Sequence, residues 1–412
     1  MTTPDTGALA ADASPQAIAT KWREIQRLVL LSVLMAFAAI STDLFLPAIP
    51  RMSVALGASQ GALELTISAY LIGFSVGQLF WGPISDRYGR RIPIAIGLVI
   101  FILGSAGCAL ATDAAQLIGW RVVQALGACA SVVLARAMVR DLYPRDRAAR
   151  VLSTLMTIMA IAPLLGPTVG AHILAFSSWQ AIFWTLVAIG LATLAGLFSL
   201  PETLTNDRRN NEPLGKAFAA YGALLGNRRL LVYAAATGFF YSGTFTYVAS
   251  SSFAFIHYHQ LSPEIFALLF AVGILGIMAT NQVNARLVTR FGGDRMLLAG
   301  TVGAAITGLM VAVVTTTGLG GWLGLAIATW LFVAMNGLIV ANAISGALAD
   351  FPMRAGAVSA LMGAFQYGSG VLGSAASSLF ANGTPAPMGI VIAVSGIGCL
   401  ASGLVLRRLK YD

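Results

Sequence analysis

Charge is scarce in this chain. Asp, Glu, Lys and Arg together make up 10% of the 412 residues, where a soluble domain carries about 25%. That is too little charge to coat a water-facing surface, so a soluble globular protein is excluded. Cysteine and histidine are also rare, at three each. Cys108, Cys129 and Cys399 lie within apolar stretches. Their odd number and their spacing fit neither a disulfide framework nor a metal site. No glycine-rich phosphate loop is present, so ATP-driven chemistry, a cofactor and enzymatic activity are not expected. The 44 glycines show no three-residue period, which excludes collagen.

Apolar residues are abundant, at 58% of the chain. They form runs long enough to cross a bilayer, which takes about 20 residues per helix. The runs predict twelve spans, at 28–47, 61–84, 92–111, 114–139, 151–175, 179–200, 230–255, 264–285, 296–317, 321–348, 356–380 and 386–406. Their apolarity is continuous rather than alternating, which excludes strands. The expected fold class is therefore an all-α polytopic membrane protein with twelve transmembrane helices.

The net charge is +9. The cations flank apolar runs, so they report topology rather than a nucleic-acid partner. With the N-terminus in the cytoplasm, 22 of the 25 Lys and Arg residues fall in cytoplasmic segments or at their span ends. Arg51 is the exception outside, and Arg121 and Arg136 lie within span 4. One missed span would invert every later loop, so this bias predicts that both termini are cytoplasmic. The first apolar run is long and ends in Leu-Pro, unlike a cleaved secretory signal, so it is expected to be retained.

The longest internal polar segment, 201–229, contains the chain midpoint and separates six spans from six. Arg87-Tyr88-Gly89 after span 2 echoes Arg290-Phe291-Gly292 after span 8, and 152–156 in span 5 echoes 358–362 in span 11. These echoes predict a 6+6 duplication. The expected organisation is a tail (1–27), a six-helix bundle (28–200), a linker (201–229), a second bundle (230–406) and a tail (407–412). Two parallel repeats around a midplane cavity form a transporter architecture that works by alternating access.

Ionisable residues inside a span are functional candidates, because burying charge is expensive. Asp43, in the outer part of span 1, is expected to carry a proton. Arg121 in span 4 is expected to lie at a similar height and tune it, with a structural ion pair or carbonyl clamp as its other reading. Arg136 is read chiefly as snorkelling to the interface. Pro163, Gly166, Pro167 and Gly170 loosen span 5; either a bend that shapes the cavity or close packing fits them. Tyr70, Gln124, Tyr241, Phe245, Tyr247, Asn281, Asn336 and Gln366 are candidate cavity residues. No residue set matches a metal site.

The loop after span 2 reads Gly82-Pro-Ile-Ser-Asp86-Arg87-Tyr-Gly89-Arg90-Arg91. It resembles the signature of the major facilitator superfamily. Arg121-Val-Val-Gln124-Ala-Leu-Gly127, Ala162-Pro163-Leu-Leu-Gly166-Pro167-Thr-Val-Gly170 and Pro201-Glu202-Thr203 fit the same family, the second resembling its antiporter Gly-Pro motif. Asp43-Leu-Phe-Leu-Pro47-Ala-Ile-Pro50 and Ala135-Arg136-Ala-Met-Val-Arg140-Asp141 resemble its bicyclomycin/chloramphenicol-resistance (Bcr/CflA) branch.

The resemblance implies two pseudo-symmetric six-helix bundles. It also implies a cytoplasmic gate of Asp86, Arg87, Arg90, Arg140 and Asp141, with Arg140 pairing with Asp86. The implied function is proton-coupled export of drugs or similar small amphipathic compounds across a bacterial inner membrane. Export of one metabolite is the alternative. Small-molecule substrate, protons and lipid are the expected partners, and a monomer is the expected state. The second-half loop lacks the acid, since Thr289 aligns with Asp86, and Met35 stands two helical turns before Asp43, where some relatives carry a further acid.

Overall fold

A computed structural model describes residues 15–209, 213–351 and 354–409. Among the cations assigned to topology, Lys21, Arg23, Arg145, Arg150, Arg208 and Lys410 have side chains outside the described set. Helices dominate and no strand occurs among the described residues, as lipid requires of a backbone that must bond itself. The first half comprises α1 (Pro15–Asp43), α2 (Ile49–Ala55), α3 (Gln60–Tyr88), α4 (Arg91–Leu110), α5 (Ala114–Leu142), α6 (Arg145–Phe176) and α7 (Trp179–Leu197). After α8 (Leu214–Leu225) come α9 (Arg228–Ser252), α10 (Pro263–Phe291), α11 (Gly293–Thr317), α12 (Gly321–Ala334), α13 (Asn336–Ala349), α14 (Ala355–Leu379) and α15 (Ala386–Arg408). With α1–α2 and α12–α13 each counted as one broken span, twelve spans form two six-helix bundles.

Nine of these spans are long and apolar enough to cross a membrane by length and composition, among the described residues. α6, α9 and α14 are the others. α9 and α14 carry many Ser, Thr and Tyr residues, because they pack against protein as well as lipid. α3 packs against α14, and α6 against α10, across the two halves. Large apolar side chains on the perimeter, such as Leu103, Leu268 and Val394, are more than half exposed and suit contact with lipid tails.

The structure departs from the expected boundaries in four places. Helix α1 begins at Pro15, inside the expected tail. Span 1 runs on to Ala55 rather than ending at 47. The proline ring of Pro47 cannot sit in a helix without meeting the carbonyl four residues back, that of Asp43. The chain therefore breaks at Asp43 and restarts through a short 3-10 turn, Leu46–Ala48. The linker is not merely polar, since it contains α8, whose Tyr221 hydroxyl donates to the Leu79 carbonyl (3.2 Å). Phe218 of α8 also meets Phe80 of α3, with ring centroids 5.1 Å apart. Finally, the seventh span continues past Ser252 as a π-helix, Phe253–Tyr258.

The two ends of the molecule differ. One carries the Asp86–Arg91 turn, α8 and most of the cations, and is called the basic end below. The other carries the α1–α2 continuation and the N-termini of α3 and α10.

Candidate transport site and gates

Because α1 stops at Asp43 with α2 still to come, the carboxylate lies well inside the span rather than at its outer end. Asp43 is buried, at 5% exposure, and accepts a hydrogen bond from the Thr42 hydroxyl (3.1 Å). It lines a cavity of about 140 Å³ between the two halves. The rest of that wall includes Pro163, Thr244, Tyr247, Phe270 and Trp330. Asp43 is the one ionisable carboxylate among these lining residues. This burial is not that of a solvated acid at a helix end.

The span-5 motif packs directly against Asp43. A Cβ added at Gly166 would stand 3.0 Å from the Asp43 Cβ, and one at Gly170 would stand 1.9 Å from the Leu44 carbonyl oxygen. Only a residue without a side chain allows α6 this close to the break in α1. Helix α6 continues through Pro163 and Pro167. Close packing is thus the reading the geometry supports, with the end of α1 as its partner.

Arg121 is fully buried and is the largest such side chain. Its Nη1 donates to the Ser41 carbonyl (3.0 Å) and to Gln124 Oε1 (2.5 Å). Gln124 Nε2 in turn donates to the Ser105 hydroxyl (2.8 Å). The guanidinium lies over the rings of Phe45 and Tyr70, 4.3 and 4.4 Å from their centroids. Such faces attract a desolvated cation. Arg121 and Asp43 do not form an ion pair. The arginine clamps the backbone two residues before Asp43 from within the first bundle, while Asp43 faces the space between bundles. Tyr70 and Gln124, expected in the cavity, are instead packed around Arg121.

In the second half Tyr241, Phe245 and Tyr367 form an aromatic cluster that reaches Phe74 of the first half, 4.3 Å from Tyr367 by centroids. Tyr247 stacks on Phe270 at 6.0 Å and lines the Asp43 cavity. Asn336 is half-buried at the start of α13, and Gln366 is buried within α14. Asn281 is exposed, and its backbone lies against Gly337, next to Asn336.

At the basic end, Gly89 caps α3 with φ +91°, a conformation that glycine adopts without strain. The next residue, Arg90, is buried and binds both local acids. Its Nη1 donates to Asp86 Oδ1 (2.6 Å) and its Nε to Asp141 Oδ2 (2.8 Å). Asp86 is therefore paired with Arg90 rather than with Arg140 as expected. Arg90 follows the tight turn and points back into the bundle, whereas Arg140 is exposed. Glu202 accepts from the backbone N–H groups of Arg90 (2.8 Å), Arg91 (3.1 Å), Thr203 (2.9 Å) and Leu204 (3.0 Å). Partial burial works to raise its pKa, but these donors outweigh that and hold the carboxyl below the usual glutamate range.

Glu64 was missed at the sequence level. It falls within the apolar run 61–84 and is not among the candidates that the sequence offers. It is buried at 1% exposure near the end opposite the basic one. Its carboxylate accepts from Gln60 (2.7 Å) on its own helix, and from Ser250 (2.9 Å) and Ser378 (3.4 Å) of the other half. Ser250 also bonds Ser377 (2.9 Å), and Ser68 bonds Ser374 (2.7 Å). The bonds of Glu64 to Ser250 and Ser378 and of Ser68 to Ser374 join the halves at that end. The available signal was the acid at 64 together with Ser-rich ends of spans 7 and 11 (Ser250-Ser251-Ser252 and Ser377-Ser378). At the basic end, by contrast, a cavity of about 340 Å³ opens among α3, α5, α8 and α14.

The comparisons agree with this architecture. The Major Facilitator Superfamily model matches residues 31–374. An uncharacterised transporter of that superfamily, YdgK of Bacillus subtilis, is 33% identical over 93% of this chain and 96% of its own. A bicyclomycin resistance protein homolog of Haemophilus influenzae is 30% identical over 87% of this chain and 90% of its own. The xylose transporter XylE of E. coli, in a partially occluded inward-open structure, superposes with a TM-score of 0.72 at 14% identity, covering 93% of this chain and 97% of that one. That last likeness concerns the fold alone. The chain is a multi-pass membrane transporter that belongs to the major facilitator superfamily, in its Bcr/CflA-like branch.

Proposed function

We propose that this chain exports drugs or similar small amphipathic compounds across the bacterial inner membrane in exchange for protons, by alternating access. The observation that carries this reading is Asp43. It is a buried carboxylate on the wall of an otherwise apolar cavity between the two halves. An acid in that place binds a proton when the cavity is dry and releases it when water or substrate changes its surroundings. Arg121 holds the backbone of α1 at Ser41 and so positions the carboxylate. The name of the bicyclomycin-resistance relative favours drugs over a single metabolite as cargo.

The charge bias supports a cytoplasmic basic end and cytoplasmic termini. In that orientation the molecule is open toward the cytoplasm and closed outside through Glu64 and its serines. The Asp86, Arg90, Asp141 and Glu202 cluster fastens α3, α5 and the end of the first half together at the cytoplasmic side, with Arg87 and Arg140 beside it. The boundaries 28–200 and 230–406 serve as the two rocking units. Both walls of the cavity come from one chain, which supports a monomer.

The test is efflux from intact cells that lack other pumps. Wild type and Asp43→Asn are compared on amphenicols, bicyclomycin, fluoroquinolones and lipophilic cations, with and without an uncoupler. Export that stops with either the substitution or the uncoupler is the expected result. Full uncoupler-sensitive export by a well-expressed Asp43→Asn variant overturns the coupling role.

A further inference from the structure

The basic-end cavity carries chemistry that neither the transport cycle nor topology accounts for. Its lining holds five cations, Arg87, Arg90, Arg136, Arg140 and Lys216, and one carboxylate, Asp86. Arg90 is already spent on Asp86 and on Asp141. Glu202 is occupied by four backbone donors. Among the described residues Arg87, Arg136 and Arg140 therefore border this space as well, and Asp86 is the one carboxylate on its wall.

Arg136 is the informative one. Arg87 and Arg140 are exposed, as interface cations usually are. Arg136 lies one turn further into α5 and is only partly exposed. Its Nε is buried without a hydrogen-bond partner. A buried donor without a partner is costly, and this Nε is open to an acceptor that enters the cavity. Tyr221 of α8 stands on the same cavity wall as this guanidinium.

Two helices also begin on the cavity wall. These are α8, at Leu214, and α14, at Ala355, and neither has a side-chain cap for its first N–H groups. Their positive ends add to the same field. They support the assignment but do not carry it; the three arginines on the cavity wall and the unpartnered Arg136 Nε do.

We infer that Arg136 and the cations around the basic-end cavity form a recognition site for the anionic group of an aromatic amphiphile, such as an arenecarboxylate. The planar guanidinium matches a carboxylate in two-point geometry, and Tyr221 on the same wall supplies a ring for the body of the molecule. The inference rests on the transport reading and narrows its substrates to neutral and anionic amphiphiles, with lipophilic cations disfavoured by like charge. A phospholipid headgroup offers the same chemistry, so the test separates the two.

The experiment uses the full chain in phosphatidylcholine nanodiscs. Binding of radiolabelled 2-naphthoate is measured and competed with 2-naphthamide and 2-naphthylmethylammonium. Naphthoate is expected to bind about ten-fold or more tightly than the ammonium compound. Arg136→Gln is expected to remove that advantage while leaving the amide's affinity unchanged, which also shows that the variant is folded. Arg136→Lys should recover part of the charge preference but less affinity, because an ammonium lacks the planar fork.

Equal naphthoate affinity in wild type and Arg136→Gln, or tightest binding of the ammonium compound, overturns the proposal. Repeating the titration with phosphatidylglycerol in the discs tests the lipid. Competition by that lipid in wild type alone reassigns the site to a headgroup and overturns the substrate assignment. The assay reads binding, so its failure is distinct from that of export. Arg136-dependent naphthoate binding by a chain that exports nothing sinks the export reading and leaves this site standing. Uncoupler-sensitive export with Arg136-independent binding does the reverse.

Discussion

The turns after spans 2 and 8 share a backbone but not a chemistry. Each helix ends on a glycine at positive φ, +91° at Gly89 and +81° at Gly292. Each follows an Arg-aromatic pair, Arg87-Tyr88 and Arg290-Phe291. Around Gly89 the space is filled, since an added Cβ would meet the Glu202 carboxylate at 2.6 Å. Around Gly292 nothing lies within 4 Å. The first-half turn locks Arg90 onto two acids. The second-half counterpart offers Arg229 near Asp350 (3.5 Å) and Asp294 (4.0 Å), with Arg229 about half exposed. Duplication has thus kept the fold of the turn, while ionisable chemistry has gathered in the first half. The second half contributes mainly aromatic and apolar walls, including Tyr247, Phe270 and Trp330.

The comparison can be broken by paired substitutions, one in each half. The largest contrast is expected between Asp43→Asn and Asp294→Asn. The first should reduce uncoupler-sensitive export to background, and the second should leave most of it. Comparable losses from both would show that the second half shares the coupling. Next come Arg90→Gln and Arg229→Gln. Removing Arg90 strands Asp141, a loss of about 3 kcal/mol for a largely buried pair, and frees the exposed Asp86 at little cost. Removing the half-exposed Arg229 should cost about 1 kcal/mol or less. Thermal unfolding followed with a thiol-reactive dye can read both, because Cys108, Cys129 and Cys399 are buried until the chain unfolds.

A smaller contrast separates the glycines. Gly292→Ala should cost about 1–2 kcal/mol, the penalty for a side chain in a left-handed conformation. Gly89→Ala should cost about 1–3 kcal/mol more, because Glu202 must also move. Equal shifts in melting temperature would mean that the Glu202 contact is slack.

The smallest effect is one of pH. The Glu202 carboxyl is held below its ordinary value of 4.5, so it favours the folded state wherever the unfolded chain would already be ionised. That contribution is complete above about pH 4.5 and falls away as pH drops toward the folded-state value. Glu202→Gln should flatten this acid slope, and a slope unchanged by the substitution would remove Glu202 from the account.

Much of this was legible before folding was considered. Continuous apolar runs can only be helices in lipid, and cations partition to one side, so span number and repeat followed from composition and order. The Asp43 position, the Gly-Pro motif and the Asp86–Arg91 loop were also visible, because charge, glycine and proline are conspicuous in an apolar chain. Partner choice was not. Arg90 and Arg140 are both arginines near acids at the basic end, one in the turn after α3 and one in α5, and only the direction in which each side chain is aimed selects Arg90. Tyr70 and Gln124 read like cavity residues by type, but a neighbouring buried guanidinium claims them. Glu64 was passed over because its partners, Ser250 and Ser378, are 186 and 314 residues away.

By itself, then, the sequence determined a duplicated bundle of membrane helices, its charged end and the small set of residues able to carry charge through it. Those follow from the cost of exposing backbone and charge to hydrocarbon, which each segment meets almost independently of the others. Tertiary structure alone decided that Asp43 faces the second half, that Arg121 clamps a carbonyl instead of pairing with it, and that Glu64 joins the halves. Hydrogen bonds and ion pairs extend over only a few ångströms, so which groups share them depends on where the two bundles meet.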